Sequence, residues 1–290
     1  MGDVLAGNHA VWEFDSDSVL IRFTRGIRTP RTPRLFHALG SRRIPLEAVS
    51  EVTVTAGRRD TVVLRAVPRP GADPLMEAAA GQLKEACDPY RLVLPGERAP
   101  RAAAFADALR SRLGPDAAEP AGRFLVAAPP PPVHLKAYDA RVGFDGSAVT
   151  FHWSRTGATS TKWKAGDQRY ALSEVTGVEW SSPEGPDGHL RLLVRDGTAD
   201  PRPDHDLASA VFGVGYGAVH ESLPFAAAVL AALRGRTPVA SVLRARSGDE
   251  RTDERSGDER LRHLSELHNA GVLTDAEYAA LRDRCAAQPL

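Results

Sequence analysis

A ten-residue stretch of this chain occurs twice, and the duplication constrains the fold more than any other feature. Arg43-Ile44-Pro45-Leu46-Glu47-Ala48-Val49-Ser50-Glu51-Val52 returns as Arg169-Tyr170-Ala171-Leu172-Ser173-Glu174-Val175-Thr176-Gly177-Val178, 126 positions on (43 to 169). The echo extends in both directions. Phe14-Asp15-Ser16-Asp17-Ser18-Val19-Leu20-Ile21 answers Phe144-Asp145-Gly146-Ser147-Ala148-Val149-Thr150-Phe151 at an offset of 130 (14 to 144). Glu97, Pro100, Leu109 and Arg110 answer Glu221, Pro224, Leu233 and Arg234 at 124 (97 to 221). An offset that drifts marks length changes in loops, which a duplicated domain tolerates at its tips.

Within each copy the periodicity is that of strands followed by one helix. Trp12, Phe14, Val19, Ile21 and Phe23 alternate with polar neighbours, as half-buried strands do, and Val142, Phe144, Val149, Phe151 and Trp153 hold the same places. Asp and Ser supply the turn between them. Further strands are predicted over 49–56 and 61–67, answered by 175–181 and 189–195, with Val62 to Arg65 set against Leu192 to Arg195. A short helix fits Met76 to Ala86, and a strand Tyr90 to Leu94 is set against Val211 to Val219. Pro100 and Pro224 stand at predicted helix starts, where a missing amide costs nothing. Phe105, Leu109 and Leu113, like Phe225, Val229 and Leu233, fall on one helical face. Gly114 and Gly235 stand where left-handed caps would end those helices.

The expected fold is therefore α+β: two repeated antiparallel, barrel-like domains of about six or seven strands plus a C-terminal helix, then a small helical hairpin. A sheet of that size would curl or split into two packed layers, with the helix over an open end. The expected domains are 8–114, a Pro-rich linker 115–133, 134–236, a charged flexible linker 237–260, and the hairpin 261–287. Pro129-Pro130-Pro131-Pro132 favours an extended, stiff spacer. No apolar residue occurs from 247 to 260, which suits a solvated linker.

Composition narrows the function classes. Formal net charge is zero, so no global field selects nucleic acid, which is disfavoured as a partner. Cys87 and Cys285 are too few for a disulfide framework or a zinc site, and a reducing cytoplasm fits them. No stretch reaches the length of a membrane span, so the expected location is cytoplasmic, with peripheral attachment at the inner membrane face as the variant.

Local charge is less even. Arg22, Arg25, Arg28, Arg31, Arg34, Arg42 and Arg43 occur with no acidic residue between Asp17 and Glu47, and Leu35 and Phe36 lie among them. An anionic-surface site and a solvated arginine-rich loop both account for this run. Arg155, Lys162, Lys164 and Arg169, with Trp163, occupy the neighbouring stretch of the second copy. Gly213-Val214-Gly215-Tyr216-Gly217 lacks the Lys-Ser or Lys-Thr of a phosphate loop and reads as a strand with packing glycines. Asp200, Asp204, His205 and Asp206 read as a solvated acidic loop rather than a metal site. Trp153, Trp163 and Trp180 read as core. No catalytic motif, cofactor or metal is expected.

The tail ends the chain with an amphipathic pattern. Leu261, Leu264 and Leu267 share a face, Gly271 breaks it, Thr274-Asp275-Ala276-Glu277 is a capping box, and Val272, Leu273, Tyr278 and Leu281 complete an apolar surface. Leu264 to Tyr278 resembles the SHOCT domain, a short C-terminal module, with Tyr where that family usually has Phe. This resemblance implies oligomerisation or protein contacts. The two repeats resemble a tandem domain of unknown function that accompanies such tails in actinobacterial proteins, similar in element order to pleckstrin-homology-like barrels. That resemblance implies no enzyme activity. The expected function is a non-enzymatic binding or scaffold protein that contacts itself or a partner bearing the same tail. The alternative is a peripheral sensor of an anionic membrane or phosphorylated ligand through 22–43, and an enzyme is the third class.

Overall fold

The computed structural model describes residues 3–23, 32–195, 197 and 200–235. Strands β1 (Asp3–Ala6), β2 (Ala10–Phe14), β3 (Ser18–Phe23) and β4 (Ser41–Pro45) form one antiparallel sheet in that order. Strands β5 (Val49–Ala56), β6 (Thr61–Pro68) and β7 (Arg91–Pro95) form a second. Helix α1 (Arg34–Leu39) precedes β4, α2 (Pro74–Ala79) lies between β6 and β7, and α3 (Ala99–Arg110) closes the repeat.

The second repeat follows the same order. Strands β8 (Val133–Lys136), β9 (Ala140–Phe144), β10 (Ala148–Trp153) and β11 (Gln168–Ala171) form its first sheet, with α4 (Ser160–Ala165) before β11. Strands β12 (Val175–Ser181), β13 (His189–Val194) and β14 (Ser209–Val211) form its second, and α5 (Val219–Gly235) closes it. The pairing of the described strands thus gives four sheets, two per repeat, and closure into barrels is not part of it. In each repeat the two sheets and the last helix bury their apolar faces in one shared cluster, centred on Trp12, Ile21, Leu64, Leu92 and Phe105 in the first and on Phe144, Phe151, Trp180, Leu190 and Phe225 in the second.

One irregularity is duplicated to the residue. The register shifts between Val49 and Glu51 and again between Val175 and Gly177. The extra residue in each bulge carries a hydroxyl that donates across the ladder: Ser50 to the Val67 carbonyl at 3.0 Å, Thr176 to the Leu193 carbonyl at 2.9 Å. Because Val49 pairs with Pro68 and Val175 with Val194, β6 and β13 keep the offset of 126 (68 to 194). Arg65 therefore corresponds to Arg191, and the match of Val62–Arg65 to Leu192–Arg195 is out of register by four residues. The corrected pairing has its own signature. Arg65 Nε lies 3.0 Å from Asp88 and Arg191 Nε 3.0 Å from Asp206, and each aspartate also accepts the amide two residues on, at Tyr90 and Ala208.

Three further readings are corrected by the structure. Val211 to Val219 is not a strand: β14 ends at Val211, and the glycine-rich stretch turns with Gly215 and Gly217 at φ of 81° and 67°. Pro224 lies inside α5, which starts five residues earlier at Val219, because Leu223 and Phe225 bury a helical face from the first turns on. Gly114 has φ of −73° and is no left-handed cap.

The linker does not hold the repeats apart. The amide of Ala121 bonds to Pro70 O, those of Leu125 and Val126 bond to Ala72 O, and Val126 is buried, so the segment lies along the first repeat. The repeats meet through α1 and α2, which pack on α5, while α2 also touches β12. Leu35, Leu75, Ala78 and Ala79 belong to the second repeat's core cluster. Gln82 spans the seam with both ends of its amide, to Trp180 O and Ser182 N, each at 2.9 Å. Arg234 of α5 donates to Gly71 O and Glu77 and lies over the Phe124 ring. Both repeats fall in one unit, Met1–Arg236. No helix among the described residues is long and apolar enough to cross a membrane.

Candidate functional site

The described arginines of the 22–43 run go to three different places. In β3 and β4, alternate side chains face opposite sides of the sheet. Arg22 and Arg43 share the outer side, where Arg22 pairs with Glu13 and Arg43 with Ser18 and, at 3.8 Å, Asp15. Arg42 faces inward. It is buried, donates to Asp73 at 2.8 Å and lies over the Tyr90 ring. Asp73 also accepts the Tyr90 hydroxyl at 2.7 Å and caps α2 through the Leu75 amide, so Arg42 completes a structural network rather than an anion site. Arg34 opens α1 and is exposed. Arg25, Arg28 and Arg31 lie outside the described residues. Leu35 and Phe36, the apolar pair a membrane site would need, are both buried, Phe36 stacked on Phe23 at 4.7 Å.

The second repeat's basic residues divide likewise. Lys162 has no exposed surface and bonds to Asp139, Pro203 O and Ser209 O. Successive helical residues point about 100° apart, so the inward Lys162 turns its neighbour outward. Trp163 is accordingly 52% exposed, contrary to its reading as core, whereas Trp153 and Trp180 are buried. Asp206 of the acidic loop is committed to Arg191, and among the described residues no three metal-ligating groups converge.

A cleft of about 560 Å³ runs along the seam between the repeats. One wall is Pro33, Arg34, Leu35 and Cys87; the other is the 183–188 loop, the turn 212–216 and the first residues of α5. Arg34 has no ion pair among the described residues. His220 stands in the same lining, its imidazole held below its usual range chiefly by burial, with Arg34 acting in the same direction and Glu221 against it. Burial pushes the Cys87 thiol up, with Glu184 adding to the effect, which is the reverse of what activates a nucleophile. Val214 projects fully exposed from the turn. The described lining thus sets Pro33, Leu35, Phe212 and Val219 beside the polar side chains of Arg34, Glu184 and His220.

The seven tail residues Leu261, Leu264, Leu267, Val272, Leu273, Tyr278 and Leu281 lie outside the described residues. What the sequence reading missed are the buried charged pairs, Arg42–Asp73 and Lys162–Asp139, because each joins positions far apart in the chain. Asp73 carried one usable signal, since Asp before Pro suits a helix cap.

A family model described as a domain of unknown function matches the chain twice, over residues 12–110 and 142–230. No curated protein matches it.

Proposed function

The chain belongs to the DUF4429 family, with two copies of that domain of unknown function in tandem, and on that footing we propose that it is a non-enzymatic binding or scaffold protein. The observation that carries the reading is the locked seam. Two repeats held by a shared core and the Gln82 and Arg234 clamps present one preformed cleft, and a rigid surface loses little entropy on binding. The SHOCT-like tail is the oligomerisation or partner-contact element in this reading. The membrane alternative is weakened by the neutralised Arg22 and Arg43, the buried Arg42 and the buried Leu35 and Phe36.

Each large apolar side chain that the tail buries contributes about 1.5–3 kcal/mol, which offsets the cost of ordering it. Light scattering on the full chain should give a multiple of the monomer mass, and a chain ending at Ala245 should give the monomer. Leu264→Asp with Leu267→Asp should reproduce the truncation without altering the fold of the two repeats. A monomer for the full chain at every concentration would remove the tail's proposed role.

A further inference from the structure

The second repeat carries a basic pocket, and we propose that it binds a phosphate monoester. The cavity, about 360 Å³, is lined by the facing ends of β8, β9 and β10 with Tyr138 and Tyr216, and it falls within the size of small-ligand sites. Lys136 and Arg141 stand directly opposite each other in the β8–β9 ladder, and His152 stands opposite Arg141 in the β9–β10 ladder. Like charges facing each other across a ladder are destabilising. His152 shares a hydrogen bond with Asp167 at 2.7 Å, and Lys136 and Arg141 have no ion-pair partner among the described residues. The fold does not require the arrangement. At the offset of 130 that holds from β2 to β3, the first repeat has Ala6, Val11 and Arg22 in these three places, and its Arg22 is paired with Glu13.

The rest of the lining suits an esterified oxyanion. Ser154 and Thr156 line the pocket too, and because their hydroxyls pair with each other at 3.4 Å, one of the two remains a free donor. Tyr138 and Tyr216 form an edge-to-face pair with centroids 6.0 Å apart, and Lys136 Nζ lies 5.2 Å from the Tyr216 ring. Trp153 presents only its apolar surface, because its indole N–H already donates to Gly166 O. The glycine-rich turn acquires a purpose here. A side chain at Gly213 would press on the Tyr138 ring, and one at Gly217 would strike Phe212. The Gly217 amide bonds to Lys136 O. The turn thereby seats Tyr216 over the pocket. Two unmatched cations side by side complement a dianion, whereas a lone carboxylate would leave one of them unmatched.

Titrating inorganic phosphate into the full chain at constant ionic strength, with chloride as balance, tests the assignment. The Trp153 indole signal and the amides of Lys136 and Arg141 should shift saturably with phosphate and not with chloride. Lys136→Ala with Arg141→Ala should weaken binding at least about tenfold, while Arg22→Ala, at the matching place of the first repeat, should leave it unchanged. Unperturbed Trp12 and Trp180 indole signals verify that the variants fold, and Arg141→Gln alone provides a milder substitution. Two arms separate the sources. Glycerol 1-phosphate binding as tightly as phosphate indicates a soluble ester. Sedimentation with phosphatidylcholine vesicles containing phosphatidic acid, but not with phosphatidylcholine alone, indicates a lipid headgroup. Equal shifts with chloride, or undiminished phosphate binding by the double variant, would overturn the proposal, and neither result bears on the tail or the cleft.

Discussion

Asp139→Ala is expected to lower the unfolding free energy by about 3–5 kcal/mol, the scale of stranding one member of a buried ion pair. Lys162 has no exposed surface, and its three donors are all used, by Asp139 Oδ2 at 2.7 Å and by Pro203 O and Ser209 O at 2.8 Å each. Its ammonium also lies 4.9 Å from the Trp153 ring. Asp139 Oδ1 accepts the Val211 amide at 2.8 Å, so the pair ties α4 to β14 as well as to the 137–139 turn. Removing the carboxylate leaves the ammonium buried against two carbonyls and a ring. Burial holds the Asp139 carboxyl above its usual range and the Lys162 ammonium below its own, so desolvation outweighs the attraction on both sides. Replacing both partners with neutral groups should therefore cost less than replacing one. Asp139→Asn with Lys162→Met is expected to recover at least half of the loss.

At the offset of 126 between α1 and α4, the first repeat has Phe36 at the place of Lys162, and Phe36 stacks on Phe23. A pH dependence separates the two single variants. In Lys162→Met the lone carboxyl is pushed up further, so the folded state binds its proton more tightly than the unfolded chain does. The variant should gain stability as pH falls toward the usual aspartate range and lose it as pH rises through the folded value. Urea titrations of the four proteins at two pH values measure all of this. A loss under about 1 kcal/mol in Asp139→Ala would show that the pair does not hold α4.

Much of the fold was legible because it rests on local patterns. The β2–β3 and β9–β10 hairpins follow from period-two alternation around an Asp-led turn, and Asp145 in fact bonds the Ser147 and Ala148 amides. Helix α3 follows from Phe105 and Leu109, both buried. What failed depends on long-range geometry. The β6 and β13 alignment slipped by four because a local resemblance of Val62–Arg65 to Leu192–Arg195 carries no information on which residue pairs with Val49 or Val175. Helices α1 and α4 were hidden in polar stretches, since each is only six residues long and sends few side chains inward. Where each described arginine of the 22–43 run would sit was illegible for a related reason. Spacing along a chain does not say which face of a strand a side chain takes, and the buried Arg42 is followed directly by the exposed Arg43. The basic pocket was out of reach altogether, because Lys136, Arg141 and His152 become neighbours only when three strands align.

The repeats are expected to unfold together, and Leu75→Ala should move both. Leu75 is 1% exposed on α2, an element of the first repeat, yet it lies in the core cluster of the second beside α5. Truncating it leaves a cavity that α2 cannot collapse to fill. Asp73 caps the helix, and Arg234 bonds its Glu77 from the far side of the seam. A buried Leu→Ala change in such a constrained place costs about 2–5 kcal/mol. Were the repeats independent, as beads on a stiff linker would be, that loss would fall on one of them alone. With α2 inserted into the second core, separating the repeats exposes Leu75, Ala78, Ala79 and the face of α5. Trp12, in the first core, and Trp180, in the second, report on the two repeats separately. In wild type their indole signals should be lost at the same urea concentration, as coincident probes of one cooperative transition. In Leu75→Ala both midpoints should fall by the same amount. A shift of the Trp12 transition with Trp180 unmoved would show that the seam is an adhesion between two self-sufficient domains rather than a shared core.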